Sequence, residues 1–224
     1  MLQLKNITVR NVLHNLNLTV DTGDFILLIG ENGAGKTTLF NTISGDLIPK
    51  SGSIIIDGRD VTCIPQHKRA VLVSSVLQDP RSGTVGGMTL RENLHIAYTR
   101  GKRRHLKISN SCLREDLYKE KLSLLGMNLE NRLDEYVENL SGGQRQALSI
   151  ILSIIADSKI ILLDEITAAL DAKSSYSIME IVDKTIRQGQ KTCLMITHDI
   201  SHTTQFGDKV LLLKKGTLKE ANPS

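Results

Sequence analysis

A glycine-rich segment at residues 30–37 has the residue types that hold the phosphates of a nucleotide. Its eight residues are Gly30, Glu31, Asn32, Gly33, Ala34, Gly35, Lys36 and Thr37. It follows the apolar run Phe25–Ile29 and precedes a stretch of helical character, which is the context that such a loop needs. The glycines let backbone N–H groups turn toward phosphate oxygens, and the helix adds the positive end of its dipole. We expect Lys36 to reach the β- and γ-phosphates and Thr37 to offer its hydroxyl to Mg²⁺. A glycine turn that binds nothing would leave the lysine, the threonine and both flanks without an explanation.

Two adjacent carboxylates, Asp164 and Glu165, end the apolar run Ile160–Leu163. A strand that is buried on both faces does not carry a carboxylate at its tip without a partner. For Asp164, that partner is the Mg²⁺ held by Thr37, reached through water, and Glu165 can polarise the water that attacks the γ-phosphate. By itself the pattern is equally typical of a strand that enters a solvated turn. Downstream of the phosphate loop (residues 30–37), we prefer the hydrolytic interpretation.

A third motif, Leu-Ser-Gly-Gly-Gln at Leu140–Gln144, resembles the signature sequence of ATP-binding cassette (ABC) ATPases. The resemblance covers nearly the whole chain, with the motifs in family order. Gln78 resembles the Q-loop glutamine, Asp171 ends a stretch similar to the D-loop, and His198 resembles the switch histidine. A lone histidine at a strand end is more often structural, but its Thr-His-Asp context favours a contact with the γ-phosphate.

The resemblance implies a role for each of these residues. It assigns catalysis to Glu165, His198 and Gln78, and the Mg²⁺ site to Thr37, Gln78 and Asp164. It assigns ATP contacts to the eight loop residues and to Thr38, Ser141, Gly142, Gly143, Gln144 and Asp171.

The signature motif also predicts a dimer. Ser141 and the N–H groups of Gly142 and Gly143 open a helix, which makes them both a helix N-cap and a second anion site. Because the phosphate loop already occupies the near side of the γ-phosphate, this second site suits the nucleotide of another molecule. In the family, two subunits pack head to tail and bury two ATPs, so we expect a homodimer.

The elements that must position these residues are those of an α/β protein. Strand-like apolar runs lie at 2–9, 16–20, 25–29, 53–56, 71–77, 160–163, 193–196 and 210–213, and helical periodicity lies at 174–188 and from 89 to about 156. Alternating strands and helices imply parallel βαβ units. With the resemblance, we expect one P-loop NTPase domain of the ABC type over residues 1–224. Residues 1–87 and 157–224 would form a RecA-like core with an antiparallel β subdomain, and residues 88–156 an α-helical subdomain that carries the signature motif.

The composition limits where such a protein works and what it binds. A formal charge of +4 is too weak to argue for nucleic acid, and we expect none as a partner. The three cysteines, Cys63, Cys112 and Cys193, are far apart and odd in number, as free thiols in a reducing compartment would be. The N-terminus lacks the apolar core of a signal peptide, and no apolar run approaches the roughly 20 residues that cross a bilayer. We therefore expect a peripheral protein on the cytoplasmic face of the membrane, bound to integral membrane permease subunits.

The chain departs from the family pattern near the expected base site. No Tyr, Phe or Trp precedes Phe25, so the aromatic residue that usually stacks on adenine has no counterpart. Arg10, Val12 or His14 is left to cover the base, and we expect only modest discrimination of ATP from GTP. Ile166 stands where the family commonly has proline, which frees the turn without removing a catalytic group.

One basic run remains outside these motifs. It contains Arg100, Lys102, Arg103, Arg104, His105 and Lys107. A solvated loop is the simpler interpretation, and contact with anionic lipid headgroups or an acidic partner loop is the alternative.

An ATPase without its own membrane span suits a prokaryotic-style importer, whose permease and ATPase are separate chains. The stretches 78–84 and 164–171 resemble a bacterial group associated with extracytoplasmic solute-binding proteins and with amino acids such as tryptophan. Met88–Leu94 resembles the segment that faces the coupling helix of the permease. Two alternatives stay open, namely an exporter ATPase and a soluble ABC protein that acts on nucleic acid or the ribosome. Proteins of the latter class usually carry two cassettes or long coiled insertions, which this chain lacks.

Overall fold

The computed structural model describes residues 1–102, 111–167, 172–189, 191–198 and 205–221. The strands are β1 Leu2–Val9, β2 Leu13–Val20, β3 Phe25–Ile29, β4 Ser51–Ile56, β5 Arg59–Asp60, β6 Val73–Val76, β7 Ile160–Asp164, β8 Thr192–Ile196, β9 Lys209–Lys214 and β10 Thr217–Ala221. The helices are α1 Lys36–Ser44, α2 Gln66–Arg69, α3 Leu90–Thr99, α4 Ser111–Ser123, α5 Gly142–Ile155 and α6 Ala172–Gly189.

The chain divides into two units. The first contains Met1–Ser75, Ser158–Glu165 and Asp183–Ser224, and the second contains Val76–Asp157 and Ile166–Val182. The α/β fold is confirmed, while the boundaries expected at 87/88 and 156/157 stay a prediction.

The main sheet of the fold has six strands in the order β10-β9-β3-β8-β7-β6. Strands β9, β3, β8 and β7 run parallel, and β10 returns antiparallel beside β9. Every residue of β8 is buried, and the first four residues of β3 and of β7 are too, as expected of strands covered on both faces. Because parallel strands end at one edge of a sheet, the segments that follow β3, β7 and β8 meet there.

A second, antiparallel sheet in the order β2-β1-β4-β5 belongs to the first unit. Strand β1 pairs with β2 on one side and with β4 on the other. Its buried side chains Leu2, Leu4 and Ile7 belong to the same hydrophobic core as Ile26 and Leu28 of β3. The sheet thereby holds the β1–β2 turn within the same packed unit as the phosphate loop.

The second unit is helical. Helix α3 begins with a capping box in which Thr89 and Glu92 satisfy each other's backbone N–H groups, and α5 begins with the equivalent box of Ser141 and Gln144. Short 3₁₀ turns at Leu129–Asn131 and Val137–Asn139 separate α4 from α5. Among the helices in the described part of the chain, none is both long and apolar enough to cross a bilayer.

Candidate functional site

The phosphate loop connects the end of β3 to the first residue of α1. Two of its glycines are required by their surroundings. A Cβ on Gly30 would collide with the carbonyl oxygen of Leu213. Gly35 has a φ of +104°, and a Cβ there would lie 2.9 Å from Cδ2 of Leu13. The loop is therefore packed against the rest of the first unit, in a conformation that a side chain at either glycine would prevent.

Lys36 is the first residue of α1, and its side chain returns over the loop. It is only 7% exposed, and its Nζ donates to the carbonyl oxygens of Gly30 at 2.6 Å and Glu31 at 3.2 Å. Both acceptors are neutral, so the ammonium charge is held in place without being neutralised by them. An anion that enters the loop meets a positioned positive charge, which is the chemistry predicted for Lys36.

A cavity of about 290 Å³ adjoins the phosphate loop. Its described lining residues are Val12, Glu31, Gly33, Gly35, Lys36, Thr37, Thr38 and Glu165. The structure thus brings Glu165, more than a hundred positions downstream in the printed sequence, to the same space as the lysine and the two threonines. Gly30, Asn32 and Ala34 belong to the loop without lining this cavity.

Asp164 is the last residue of β7 and is partly buried. Burial raises the pKa of its carboxyl group, and so does the negative charge of Glu165, while Lys36 and His198 oppose the rise. Since burial disfavours the charged form, a bound cation would stabilise this carboxylate. The described residues contain no cluster of three or more His, Cys, Asp or Glu side chains placed to hold a metal. The hydroxyl of Thr37 and the carboxylate of Asp164 are instead the few hard oxygen donors that suit Mg²⁺ when phosphates and water complete its shell.

Glu165 has an unusual backbone conformation for its type. Its φ is +50°, in the left-handed region, and its N–H donates to the carbonyl oxygen of Ile196 at 3.1 Å. Such a conformation costs on the order of 1 kcal/mol for a residue with a Cβ and is often found at functional sites. It turns the chain sharply at the end of β7, where the side chain of Glu165 lines the cavity.

His198 follows β8 at the same sheet edge. Its Nε2 lies 2.9 Å from Oε1 of Glu165, and its side chain is 48% exposed. The sequence predicted a contact between this histidine and the γ-phosphate, and the structure pairs the ring with the neighbouring carboxylate. That phosphate contact stays a prediction.

The signature residues lie in the second unit at the start of α5. Ser141 Oγ accepts from the N–H of Gln144 at 3.2 Å, and Gln144 Oε1 accepts from the N–H of Ser141 at 3.1 Å. This capping box leaves Ser141 and Gly142 exposed, and a Cβ on Gly142 would meet no atom within 4 Å. The first turn of α5 is therefore an open helix N-terminus whose leading N–H groups can receive an anion.

The other expected site residues have different outcomes. Gln78 is exposed in the second unit, two residues beyond β6. Asp171, and Arg103, Arg104, His105 and Lys107 of the basic run, lie outside the described residues. Of the three candidates for covering the base, Val12 lines the cavity, whereas Arg10 and His14 are exposed and are not among the lining residues.

Arg69 is a structural residue near the site that the sequence did not reveal. It is fully buried, and its guanidinium donates only to backbone carbonyls in the first unit. These carbonyls belong to Thr42, Ile43, Val61, Thr62 and Ile64. The carbonyls of Thr42 and Ile43 are in the last turn of α1, where a positive charge is favourable. Burial lowers the pKa of Arg69, whereas electrostatic interactions with Cys63 and Asp60 act to raise it. The side chain thus fixes the far end of the helix that begins with Lys36.

Arg145, in the first turn of α5, directly follows the signature motif. Its Nε donates to Oγ1 of Thr84 at 2.6 Å. Ser149 Oγ, one turn later, donates to the carbonyl oxygen of Pro80. These bonds attach the segment that follows Gln78 to the signature helix, a link between distant positions that no sequence pattern indicated.

A groove of about 420 Å³ is present on the second unit. Its described lining residues are Met88, Arg91, Glu92, His95, Ile96, Arg114 and Tyr118. Arg91 pairs with Glu115 at 2.6 Å and with Asp134 at 2.8 Å, so its charge is partnered. Ile96 is 47% exposed. The groove combines apolar side chains, Met88 and Ile96 among them, with ionic groups, of which Arg91 is held in position by its ion pairs.

Comparison with known proteins gives a consistent result. The family model described as "ABC transporter" matches residues 13–168. The chain is 42% identical over 227 residues to a tyrosine transport ATP-binding protein of Clostridioides difficile, covering 96% of this chain and 89% of that protein. It is 32% identical to the Fe(3+) ions import ATP-binding protein FbpC of Escherichia coli O157:H7, covering 97% of this chain and 60% of that protein. Its structure is similar to a dimeric, post-hydrolysis ATP-binding cassette bound to ADP and Pi, with a TM-score of 0.86, 26% identity, and coverage of 100% and 99% of the two chains.

Proposed function

The chain belongs to the ABC transporter family and is an ATPase, and from that premise we propose that it is the energy-coupling subunit of a bacterial amino-acid importer. The likeness to a tyrosine transport ATP-binding protein extends over 96% of the chain and supports an amino acid as the solute class. The observation that carries the mechanism is the single cavity lined by Lys36, Thr37 and Glu165.

The three side chains Lys36, Thr37 and Glu165 have distinct chemical tasks in hydrolysis. The N–H groups of the phosphate loop and the ammonium of Lys36 bind the β- and γ-phosphates. Thr37 and Asp164 would hold Mg²⁺, which would neutralise the developing phosphate charge when bound. Glu165 orients and polarises the attacking water, and its contact with His198 fixes the carboxylate.

Closure of two subunits on ATP is the step that couples hydrolysis to transport. The open N-terminus of α5, with Ser141 and Gly142 exposed, supports a role in binding the γ-phosphate held by the partner subunit. The similarity to dimeric cassettes supports the same arrangement. Two ATPs would be buried in one isologous pair.

The groove of the second unit is our candidate for the contact with the permease. It includes Met88 and neighbouring residues of α3, the segment that resembles the family's coupling-helix contact. Apolar side chains beside a partnered positive charge suit a short amphipathic helix. The subunit would then act on the cytoplasmic face of the membrane, with an extracytoplasmic solute-binding protein delivering the amino acid.

Affinity purification of the intact chain from detergent-solubilised membranes of its host tests this proposal. We expect a polytopic membrane protein to co-purify, and Ile96→Asp to reduce its recovery without changing ATP hydrolysis by the isolated chain. Val71→Asp is the matched control, since Val71 is a similarly exposed valine of the first unit. Recovery of nucleic acid or ribosomes, lost at high salt, in place of a membrane protein would refute the transport role.

A further inference from the structure

Gln146 lies in the second turn of α5 and is only 1% exposed. Its neighbours Ala147, Leu148 and Ile150 are apolar and buried as well. Neither the Oε1 nor the Nε2 atom of Gln146 has a hydrogen-bond partner among the described residues. A side chain that can make as many as four hydrogen bonds is therefore enclosed without any from this part of the chain.

Another buried amide in the same unit shows what such a group normally does. Asn93 of α3 is 4% exposed, and its Oδ1 accepts from the N–H of Val85 at 2.9 Å. Its Nδ2 donates to the carbonyl oxygens of Val85 at 3.1 Å and Thr89 at 3.0 Å. An unpaired buried amide costs stability that a methionine of similar shape would not cost, so packing alone does not account for Gln146.

Two parts of the proposed mechanism adjoin Gln146. Gly142 of the signature motif precedes it by one helical turn, and because helical side chains lean toward the N-terminus, the amide is directed toward that turn. Ser149 follows on the next turn, and a Cβ on Gly83 would lie 3.1 Å from its Oγ. The short turn that follows Gln78 along the chain is therefore packed on α5 close to the buried amide.

We infer that Gln146 is a positioning residue of the ATP-closed state, in which its amide gains hydrogen bonds that the described part of the single chain does not provide. The inference rests on the proposed closure of two subunits on ATP. Closure would bring a γ-phosphate to Ser141 and Gly142, and so would act on the helical turn toward which the amide is directed. The unpaired amide raises the free energy of the single chain, and its pairing releases that energy. Gln146 thereby favours closure without contacting the nucleotide.

Gln146→Met tests this inference in two measurements on the full chain. Calorimetry of the nucleotide-free variant should give a melting temperature about 3 °C or more above that of the wild type, because the unpaired amide is removed. The dimer that Glu165→Gln forms with Mg-ATP should have a Kd about 10-fold higher when Gln146→Met is added, because each of the two chains loses the pairing made on closure. Light scattering over a concentration series measures this Kd. Gln188→Met, at an exposed glutamine of α6, is the control and should change neither quantity.

The opposite signs of the two effects distinguish this role from a merely structural one, which would weaken the single chain and the dimer together. A Gln146→Met chain that melts no higher than the wild type, or that fails to fold, would overturn the inference, because the amide would then already be paired in the single chain. An unchanged dimer Kd, or equal shifts in Gln188→Met, would overturn it too. Failure of the proposed closure has a different signature: Glu165→Gln alone stays monomeric at saturating Mg-ATP, and both proposals then fall.

Discussion

The Nε2 atom of His198 lies 2.9 Å from Oε1 of Glu165, which joins the residues that follow the ends of two neighbouring parallel strands. Glu165 contributes a left-handed backbone and a cavity-lining side chain, and His198 contributes a ring that holds one carboxylate oxygen. The orientation of the second carboxylate oxygen of Glu165 is thereby fixed as well. We interpret the pair as the device that positions the general base before ATP binds.

Replacing His198 by alanine tests this interpretation. We expect turnover to fall by about 10²-fold because Glu165 loses its orienting partner, while ATP affinity changes little. Steady-state hydrolysis and equilibrium ATP binding measure the two effects. His67→Ala, at an exposed histidine of α2, should behave as the wild type, and a His198→Ala enzyme with full turnover would remove this role.

Arg69→Met tests the contribution of the buried arginine to the first unit. The change leaves five backbone carbonyls, three of them in fully buried contacts, without their charged donor, so we expect a loss of at least about 3 kcal/mol in the free energy of unfolding. For a chain of this size that corresponds to a melting temperature about 10 °C lower. Calorimetry measures it, with Arg59→Met in the exposed strand β5 as control. Equal melting temperatures for the two variants would show that the carbonyl contacts do not stabilise the fold.

The ion pairs of the second unit predict an acid-dependent stability. Lys119 and Arg91 lower the pKa of Glu115 to about 2, and Arg91 also lowers the pKa of Asp134. Because the folded pKa of Glu115 lies below its ordinary value, its stabilising effect is complete above about pH 4.5 and is lost as the pH falls toward about 2.

Hydrogen exchange of α3 and α4 amides across this pH range measures the effect. We expect protection to decline with acid in the wild type and to decline less steeply in Glu115→Gln. Glu120→Gln, on the same helix, serves as the control. The same slope in the wild type and in Glu115→Gln would show that this carboxylate does not carry the acid sensitivity.

Much of the secondary structure near the site could be predicted from the sequence, because strong local residue patterns specify these strands and helices. The apolar run before Gly30 forms β3, the helix begins at Lys36, and the run before Asp164 forms β7. The strand at 16–20 begins earlier, at Leu13, since its N-terminal end pairs with β1 although His14 and Asn15 interrupt the apolar pattern.

The contacts that complete the site could not be predicted in the same way. Arg69 has no motif around it, and its burial depends on where the α1 carbonyls end in space. The sequence left Arg10, Val12 and His14 equivalent as base contacts, and only the fold places Val12 beside Gly35. The Glu165–His198 pair depends on the adjacency of β7 and β8, which pairing between distant strands decides.

The proposed mechanism depends most on the closure of two subunits around ATP, which Glu165→Gln tests directly by light scattering. This variant should bind ATP without hydrolysing it, and so accumulate the closed state. With Mg-ATP we predict that Glu165→Gln has twice the mass of one chain. The double variant that also carries Ser141→Arg should have the mass of a single chain, whereas the control that carries Ser123→Arg should still be a dimer. A Glu165→Gln chain that stays monomeric at saturating ATP, or a dimer that persists with Ser141→Arg, would contradict it.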